Sequence, residues 1–363
     1  MEPWLLTLAL AEQAVGLSDP NPRVGCLIVS ADGATVLGQG HTQAAGGPHA
    51  EVMALRDARA RGADVRGATV YVTLEPCAHH GRTPPCCDAL VAAGVGRVEI
   101  AVGDPNPLVN GQGSARIAAA GIAIGRAPDA VARRARELNI GFFARMERAR
   151  PWVRMKIAAS LDGRTALPNG ASQWITGPDA RADGHAWRRR AGAVLTGVGT
   201  VLADDPSLDV RLVPTERQPL RCVVDARLDT PPGARLFDSP SPVLLFTVSG
   251  DAGRRAALQA RGAEIVDVPA HAGRPDLHAV LDALAARPVN EIHVEAGARL
   301  NGALLRTGRV DELLVYLAPL LLGDGRGLAD LGELTALSQA AAFEFHDAAK
   351  VGTDLRILAR SRR

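Results

Sequence analysis

Two periods of apolar positions alternate along the first 148 residues. The stretch up to Gly16 reads as a helix, and VGCLIV (24–29) is a continuous apolar run of strand length. Helical spacing returns from His49 to Arg61, and ATVYVTL (68–74) reads as a strand. A helix over 86–93, a strand over 97–102, a helix near 112–120 and a short strand near 122–124 complete the pattern. This alternation predicts an α/β domain, a sheet layered with helices. The charged stretch DAVARRARELNIGFFARMERAR reads as helical and ends at Pro151, which cannot continue a helix with its full set of hydrogen bonds.

Beyond that proline the same alternation resumes. PWVRMKIAAS, AGAVLTG (191–197), LRCVVDA (220–226), PVLLFTV (242–248), AEIVDV (263–268), EIHVEA (291–296) and DELLVYLAPLLL (311–322) read as strands. Helical patterns such as ADGHAWRRRA and NGALLRTG sit between several of them. Two α/β domains are therefore expected, 1–148 and 151–363, with no repeat of 20 to 50 residues and no low-complexity segment.

Composition narrows the function classes. A length of 363 residues suits two cores, and 47% hydrophobic with 22% charged residues is the balance of a folded globular chain. A net charge of +2 argues against a dedicated nucleic-acid or anionic-membrane binder, which leaves a small molecule as the expected partner. Five cysteines are too sparse for a secreted disulfide scaffold. The opening MEPWLLTLALAEQAVG lacks a basic leader region, and no apolar run reaches the roughly 18 residues of a membrane span. A cytoplasmic protein is expected, for which a homo-oligomeric state is neither required nor excluded.

The chemistry concentrates in two segments. GPHAEVMAL places His49 and Glu51 at the start of a helix, and EPCAHHGRTPPCCDAL follows a strand with Cys77 and Cys86 in a proline-bounded loop. One imidazole and two thiolates are three zinc ligands, which leaves a fourth tetrahedral position for water. Zinc lowers the pKa of that water, and a carboxylate that is not a ligand can carry its proton to a ring nitrogen and to leaving ammonia. Glu51 is placed for this task. A helix opening at Cys86 would favour its thiolate. The order H-A-E then P-C…C is that of zinc deaminases, although eight residues separate Cys77 from Cys86 in place of the usual two. That insert brings Cys87, His79 and His80 into play as competing ligands. A closed structural zinc site is the plain alternative, but it would use four protein ligands and give no reason for Glu51.

PNPRVGCLIV, PHAEVMALRDA, YVTLEPCAHHGRTPPCCDALVAAGV and GDPNPLVNGQG together resemble the bifunctional riboflavin-biosynthesis deaminase/reductase family. The resemblance continues through KIAASLDGRTALPNGASQWITG, LTGVGTVLADDPSLDVR, RCVVDARLDTPP and VEAGARLNGALL, nearly the whole chain. It implies a cytidine-deaminase-like three-layer domain followed by a dihydrofolate-reductase-like domain. It also implies hydrolytic deamination of 2,5-diamino-6-ribosylamino-4(3H)-pyrimidinone 5′-phosphate, then NADPH-dependent reduction of the ribosyl group to ribityl. The long insert between Cys77 and Cys86 is typical of that family.

In the second domain the residues alone say less. Gly197-Val198-Gly199-Thr200 after a strand is a glycine-rich turn able to present N–H groups to a phosphate, without the G-x-G-x-x-G fingerprint of a dinucleotide domain. By resemblance, Ala158, Trp174, Thr200, Asp204, Ala226 and the turn Gly297, Ala298, Arg299, Leu300, Asn301, Gly302, Ala303 line the NADPH site. Ser172, Arg188, Leu208, Arg211 and Glu295 fall where the family contacts substrate, and the two arginines suit a phosphate as paired donors. Lys156 is a candidate cation or acid near the ribose C1′, and Glu295 a candidate proton acceptor or relay. Their plain readings are an exposed strand lysine and a capping carboxylate. Ala296 stands where the family often has glycine, which restricts the turn. Asn21 and the run Asp104-Pro105-Asn106-Pro107 are either ligand contacts or structural turns. The rival function is a deaminase of nucleic-acid bases with an appended binding domain, which would need a basic surface and a salt-sensitive activity.

Overall fold

The computed structural model describes residues 3–78, 84–107 and 109–362, and it divides into two compact units, Met1–Ala149 and Arg150–Arg363. His79 and His80 lie outside the described residues.

The first unit runs α1 (Pro3–Gln13), β1 (Gly25–Val29), β2 (Val36–His41), α2 (Ala50–Ala60), β3 (Thr69–Val72) and α3 (Cys86–Ala93). It continues through β4 (Arg97–Ile100), α4 (Gln112–Ala119), β5 (Ala123–Arg126), α5 (Asp129–Leu138) and α6 (Ile140–Arg148). The sheet order is β2-β1-β3-β4-β5, with β1 antiparallel to both neighbours and β3, β4 and β5 parallel. Alternation along the strands builds two cores. Cys26, Ile28, Val70 and Val72 pack with Ala50 and Ala54 of α2 and Leu90 of α3, while Leu27 and Val29 pack with Leu10 of α1 on the opposite face. Helices therefore cover both faces of the sheet, which gives three layers.

Two features escape the hydrophobic pattern. Strand β2, VLGQGH, is not among the strands the pattern predicts, and glycine has poor strand propensity. Its glycines are required by α2: a Cβ on Gly38 would lie 2.3 Å from the Ala54 carbonyl oxygen, and one on Gly40 would lie 2.5 Å from Met53 Cβ. The charged helical stretch is also broken, at Asn139. That side chain accepts from the Arg23 amide at 2.7 Å and donates to the Arg23 carbonyl at 2.9 Å, tying the break to the segment before β1.

The second unit holds β6 (Trp152–Ser160), β7 (Arg164–Ala166), α7 (Pro178–Arg190), β8 (Ala193–Gly197), α8 (Val198–Asp204), β9 (Leu220–Val224), β10 (Val243–Thr247), α9 (Ala252–Gln259) and β11 (Ala263–Asp267). After the short pair β12 (Ala270–His271) and β13 (Arg274–Pro275) come α10 (Leu277–Ala285), β14 (Glu291–Val294), α11 (Ala298–Arg306) and β15 (Glu312–Ala318). The chain ends with β16 (Arg326–Gly327), β17 (Phe343–Val351) and β18 (Asp354–Ser361). The main sheet has the order β11-β10-β9-β8-β14-β6-β15-β18-β17, parallel from β11 to β15. The C-terminal hairpin β17–β18 is antiparallel.

The two faces of this sheet differ in kind. Val153, Met155, Ile157 and Ala159 of β6 join Val280 and Leu284 of α10 and Leu304 of α11 in the main core. The alternate residues carry charge under α7. Arg154 is fully buried, pairs with Glu291 at 2.6 Å and Glu312 at 2.5 Å, and stacks its guanidinium 4.4 Å from the centroid of Trp187. Buried charges persist only when paired in this way.

Candidate active sites

Helix α2 begins on His49, whose extended backbone (φ −78, ψ 168) caps the first turn and leaves the ring beside the loop that carries Cys77. Helix α3 begins at Cys86, behind Pro85. The ligand atoms of His49, Cys77 and Cys86 lie within 4.8 Å of one another. Nδ1 of His49 is 3.6 Å from Cys77 Sγ and 3.3 Å from Cys86 Sγ. A tetrahedral zinc with bonds of about 2.3 Å to sulfur and about 2.05 Å to nitrogen requires N···S edges of about 3.5 Å. The three residues fit that ion, with Nδ1 as the imidazole donor.

Electrostatics prepare the thiols. The Cys77 thiol is drawn well below its ordinary range, chiefly by its hydrogen bond with Cys86 and further by His49, against the opposing effect of burial. Cys86 is raised, first by that same bond and then by burial. The pair thus shares one proton, which a cation would displace. Cys86 does open a helix, and its amide donates to Cys77 Sγ at 3.3 Å, so the Cys77 sulfur also gains from the helix terminus. Glu51 is buried against both sulfurs, and burial pushes its carboxyl up to about 7. Cys87 lies outside this group: its side chain sits in the hydrophobic core, and its amide donates to the Cys77 carbonyl at 3.2 Å.

A residue that the pattern does not single out braces the cysteine loop. Glu75 is buried and accepts from the amides of Gly111 at 3.1 Å and Ser114 at 2.9 Å, which ties the Pro76-Cys77 segment to α4. Gly113 closes the contact, since a Cβ there would lie 1.9 Å from the Pro76 carbonyl oxygen. Asp104 accepts from the Asn106 amide at 2.8 Å, so the Asp-Pro-Asn-Pro run forms a braced turn. Asn21 closes a turn on the Ser18 carbonyl at 2.9 Å.

In the second unit several of the expected cofactor residues lie at or just beyond the carboxyl ends of neighbouring strands. Ala226 follows β9, Thr200 and Asp204 lie on α8 directly after β8, Gly297 caps α11 just beyond β14, and Ala158 lies in the C-terminal half of β6. β14, late in sequence, is inserted between β8 and β6, and ligands of open α/β sheets bind outside the carboxyl ends of strands at such reversals. A Cβ built on Gly199 or Gly297 meets nothing within 4 Å, so both turns stand open to a ligand. The Trp174 ring is 65% exposed and stacks 4.6 Å from the Arg181 guanidinium, and Ser172 is half-buried two residues before it.

Three expected contacts differ in detail. Asn301 and Gly302 are buried beneath residues 328–330, with Asn301 Nδ2 donating to the Leu328 carbonyl at 3.0 Å, so the exposed Gly297 and Arg299 are the open part of that turn. Leu300 and Ala303 are half-buried, as is Ala298. Leu208 turns its side chain inward at φ 55, so what it offers a ligand is backbone. Ala296 is not among the described residues with positive φ, and its Cβ therefore does not strain the turn.

Arg188 is committed within the protein. Its Nε and Nη2 hold Glu295 at 2.7 and 3.0 Å, and Nη1 donates to the Asp209 carbonyl. Burial disfavours the Glu295 charge, but Arg188, His293 and Lys156 outweigh it and hold the carboxyl well below its ordinary range. Lys156 is lowered by burial and by Arg188, with Glu295 opposing, so it is no exposed strand lysine. Arg211 remains exposed, oriented by Asp209 at 2.7 Å and by its own amide, which donates to His185 Nδ1 at 3.2 Å.

Comparison with known proteins follows this division. Residues 2–102 match the cytidine and deoxycytidylate deaminase zinc-binding region, and residues 151–357 match the RibD C-terminal domain. The chain is 45% identical to the riboflavin biosynthesis protein RibD of Escherichia coli, over 96% of this chain and 95% of that protein. It is 39% identical to RibD of Aquifex aeolicus, over 90% and 89%. Among solved structures, Acinetobacter baumannii RibD aligns with TM-score 0.88 at 38% identity, covering 99% of this chain and 98% of that one. The Thermotoga maritima diaminohydroxyphosphoribosylaminopyrimidine deaminase/5-amino-6-(5-phosphoribosylamino)uracil reductase aligns with TM-score 0.86 at 30% identity, with the same coverage. The folds are those expected, cytidine-deaminase-like and then dihydrofolate-reductase-like, and a reductase in second place removes the reading of an appended nucleic-acid module. The chain belongs to the RibD family of bifunctional riboflavin-biosynthesis enzymes, a deaminase followed by a reductase.

Proposed function

We propose that this chain deaminates 2,5-diamino-6-ribosylamino-4(3H)-pyrimidinone 5′-phosphate and then reduces the ribosyl group of the product to ribityl, the two activities for which its Thermotoga maritima relative is named. The observation that carries the first step is the N···S spacing of 3.3 and 3.6 Å beside a buried carboxylate. His49, Cys77 and Cys86 hold zinc, which when bound activates water for attack on the amine-bearing carbon. Glu51 would carry the two protons of the attacking water in turn, the first to the ring nitrogen and the second to the amine, which leaves as ammonia when the C–N bond breaks. Its raised pKa suits a group that must both accept and give a proton near neutrality.

For the second step, NADPH when bound supplies a hydride to the ribose C1′ along the edge lined by Ala158, Trp174, Thr200, Asp204, Ala226 and Gly297. Lys156 places a cation beside the reacting carbon, and Glu295 handles the proton of ring opening. Arg188 acts by gripping Glu295, which leaves Arg211 as the open guanidinium for the substrate phosphate, and Ser172 and the Leu208 backbone are further contacts for the substrate. Five unpaired cysteines, two of them needed as thiolates, favour the reducing cytoplasm as the place of work. Among the described residues, no helix is long and apolar enough to cross a membrane. The test is metal analysis coupled to an assay on the diaminopyrimidine nucleotide with and without NADPH. About one zinc per chain, NADPH-independent ammonia release and NADPH oxidation only after deamination are expected. Absence of ammonia release from zinc-loaded protein refutes the proposal.

A further inference from the structure

His293 lies in the middle of β14, with Arg154 of β6 and Val194 of β8 as its strand partners. Its side chain is 0% exposed. Nε2 stands 3.3 Å from Glu295 Oε1, close enough to interact but long for an aligned bond, and neither ring nitrogen has a hydrogen-bond partner that meets strict geometry. A buried imidazole with a bare nitrogen weakens a fold, and an apolar side chain would pack there at less expense. The charged groups around it are Arg154 and Lys156 from β6, Arg188 from α7, Glu291 on its own strand and Glu295 just beyond that strand's end. Burial lowers the pKa of the ring, with Arg188 and Arg154 adding to it and Glu295 opposing. Because Glu295 is ionised and can only accept, the ring proton belongs on Nε2.

We propose that His293 is a positioning residue for the reductase: its neutral imidazole presents Nε2–H to Glu295 Oε1 from within the sheet while Arg188 grips the carboxylate from α7. Two holders on different elements fix the carboxylate plane next to Lys156, and the His293 contact tightens once substrate engages Glu295. The inference rests on the reading of Glu295 as a participant in reduction.

The experiment compares His293→Leu, His293→Met, His293→Gln and Glu295→Gln in the full chain. Thermal midpoint, NADPH affinity by fluorescence, and the pH profile of NADPH oxidation with the deaminated substrate are measured for each. His293→Leu and His293→Met are expected to melt no lower than wild type and to bind NADPH unchanged. Their kcat for reduction should fall by between about 10- and 100-fold, the value of one hydrogen bond to a charged group. The acid limb of the profile should move to higher pH, because Glu295 has lost a donor that favours its ionised form. His293→Gln should recover most of the rate, since its amide N–H can reach the same oxygen. Wild-type kcat in both apolar variants, or a loss of rate that tracks a loss of melting temperature and is not rescued by glutamine, overturns the positioning role. A Glu295→Gln enzyme that reduces at the wild-type rate overturns the reading of Glu295 together with this inference. An inactive Glu295→Gln beside unaffected His293 variants overturns the inference alone.

Discussion

Gly40→Ala tests whether the glycines of β2 set the position of the zinc site. An added Cβ would stand 2.5 Å from Met53 Cβ, 2.6 Å from the Ala54 amide nitrogen and 2.8 Å from the Ala50 carbonyl oxygen. None of these is the end of a flexible side chain. Ordinary carbon contacts lie at about 3.5 Å, so α2 must move off the sheet by about 1 Å. Overpacking of this kind destabilises by about 1–3 kcal/mol. In a unit of this size that lowers Tm by roughly 3–10 °C. The larger effect is on chemistry, because Ala50 lies between His49 and Glu51, and a displacement of about 1 Å in a reacting group costs about 100-fold in rate. Ammonia release by Gly40→Ala should therefore fall far more than its melting temperature implies, while NADPH oxidation with the deaminated substrate is retained. Gly103→Ala is the control, since the nearest atom to its Cβ is Glu75 Oε2 at 3.8 Å and its φ is not positive. Wild-type deamination by Gly40→Ala would refute the view that close helix-to-strand approach aligns the site.

Cys77→Ser and Cys86→Ser should each lose zinc by metal analysis, and Cys87→Ser should keep it; equal depletion in Cys87→Ser would break the three-ligand assignment. Glu51→Gln should retain zinc and fold yet lose turnover in deamination while still oxidising NADPH with the deaminated substrate, and Lys156→Ala should release ammonia but accumulate unreduced product. Loss of both activities in a folded, zinc-loaded Glu51→Gln protein would replace two sites by one. His185 accepts the Arg211 amide through Nδ1 and is drawn down to about 4, mainly by burial, from an unfolded value near 6.5. Between those values the unfolded chain binds the extra proton, so the stability owed to neutral His185 is complete above about pH 6.5 and is lost as pH falls toward 4. His185→Gln should flatten the dependence of the denaturation midpoint on pH in that window, and an unchanged slope would show that another group carries it.

The deaminase site was legible because its chemistry needs unlike residues at short spacing. His49 and Glu51 share one helical turn, and Cys77 and Cys86 bound a single loop, so the segments GPHAEV and EPC…PPC hold the whole set. What the pattern missed there is support. Strand β2 was hidden by the glycines that let α2 approach, and Glu75 was hidden because a buried carboxylate that accepts backbone amides carries no periodic mark. Both lessons concern close contact between segments distant in sequence, which periodicity does not record.

The candidate reductase residues came only from family resemblance, and the reason lies in the sheet face under α7. In β6 the apolar set Val153, Met155, Ile157 and Ala159 alternates with Arg154, Lys156 and Ala158, which reads as a strand with one wet face. The structure makes that face an interior of charges: Arg154 between Glu291 and Glu312, and Glu295 between Arg188 and His293, with the Lys156 ammonium also in its field. A partner set drawn from β6, β14, β15 and α7 has no local spacing to betray it. Such an interior is weak evidence of stability, since apolar side chains of similar volume would often do as well. Its value is in fixing one carboxylate. Arg188, which the family resemblance offered as a substrate-phosphate contact, holds Glu295 through both Nε and Nη2. On the function proposed above, the substrate phosphate falls to a cation outside that network, and Arg211, exposed and oriented through His185 and Asp209 in the loop after α8, is the guanidinium proposed for it.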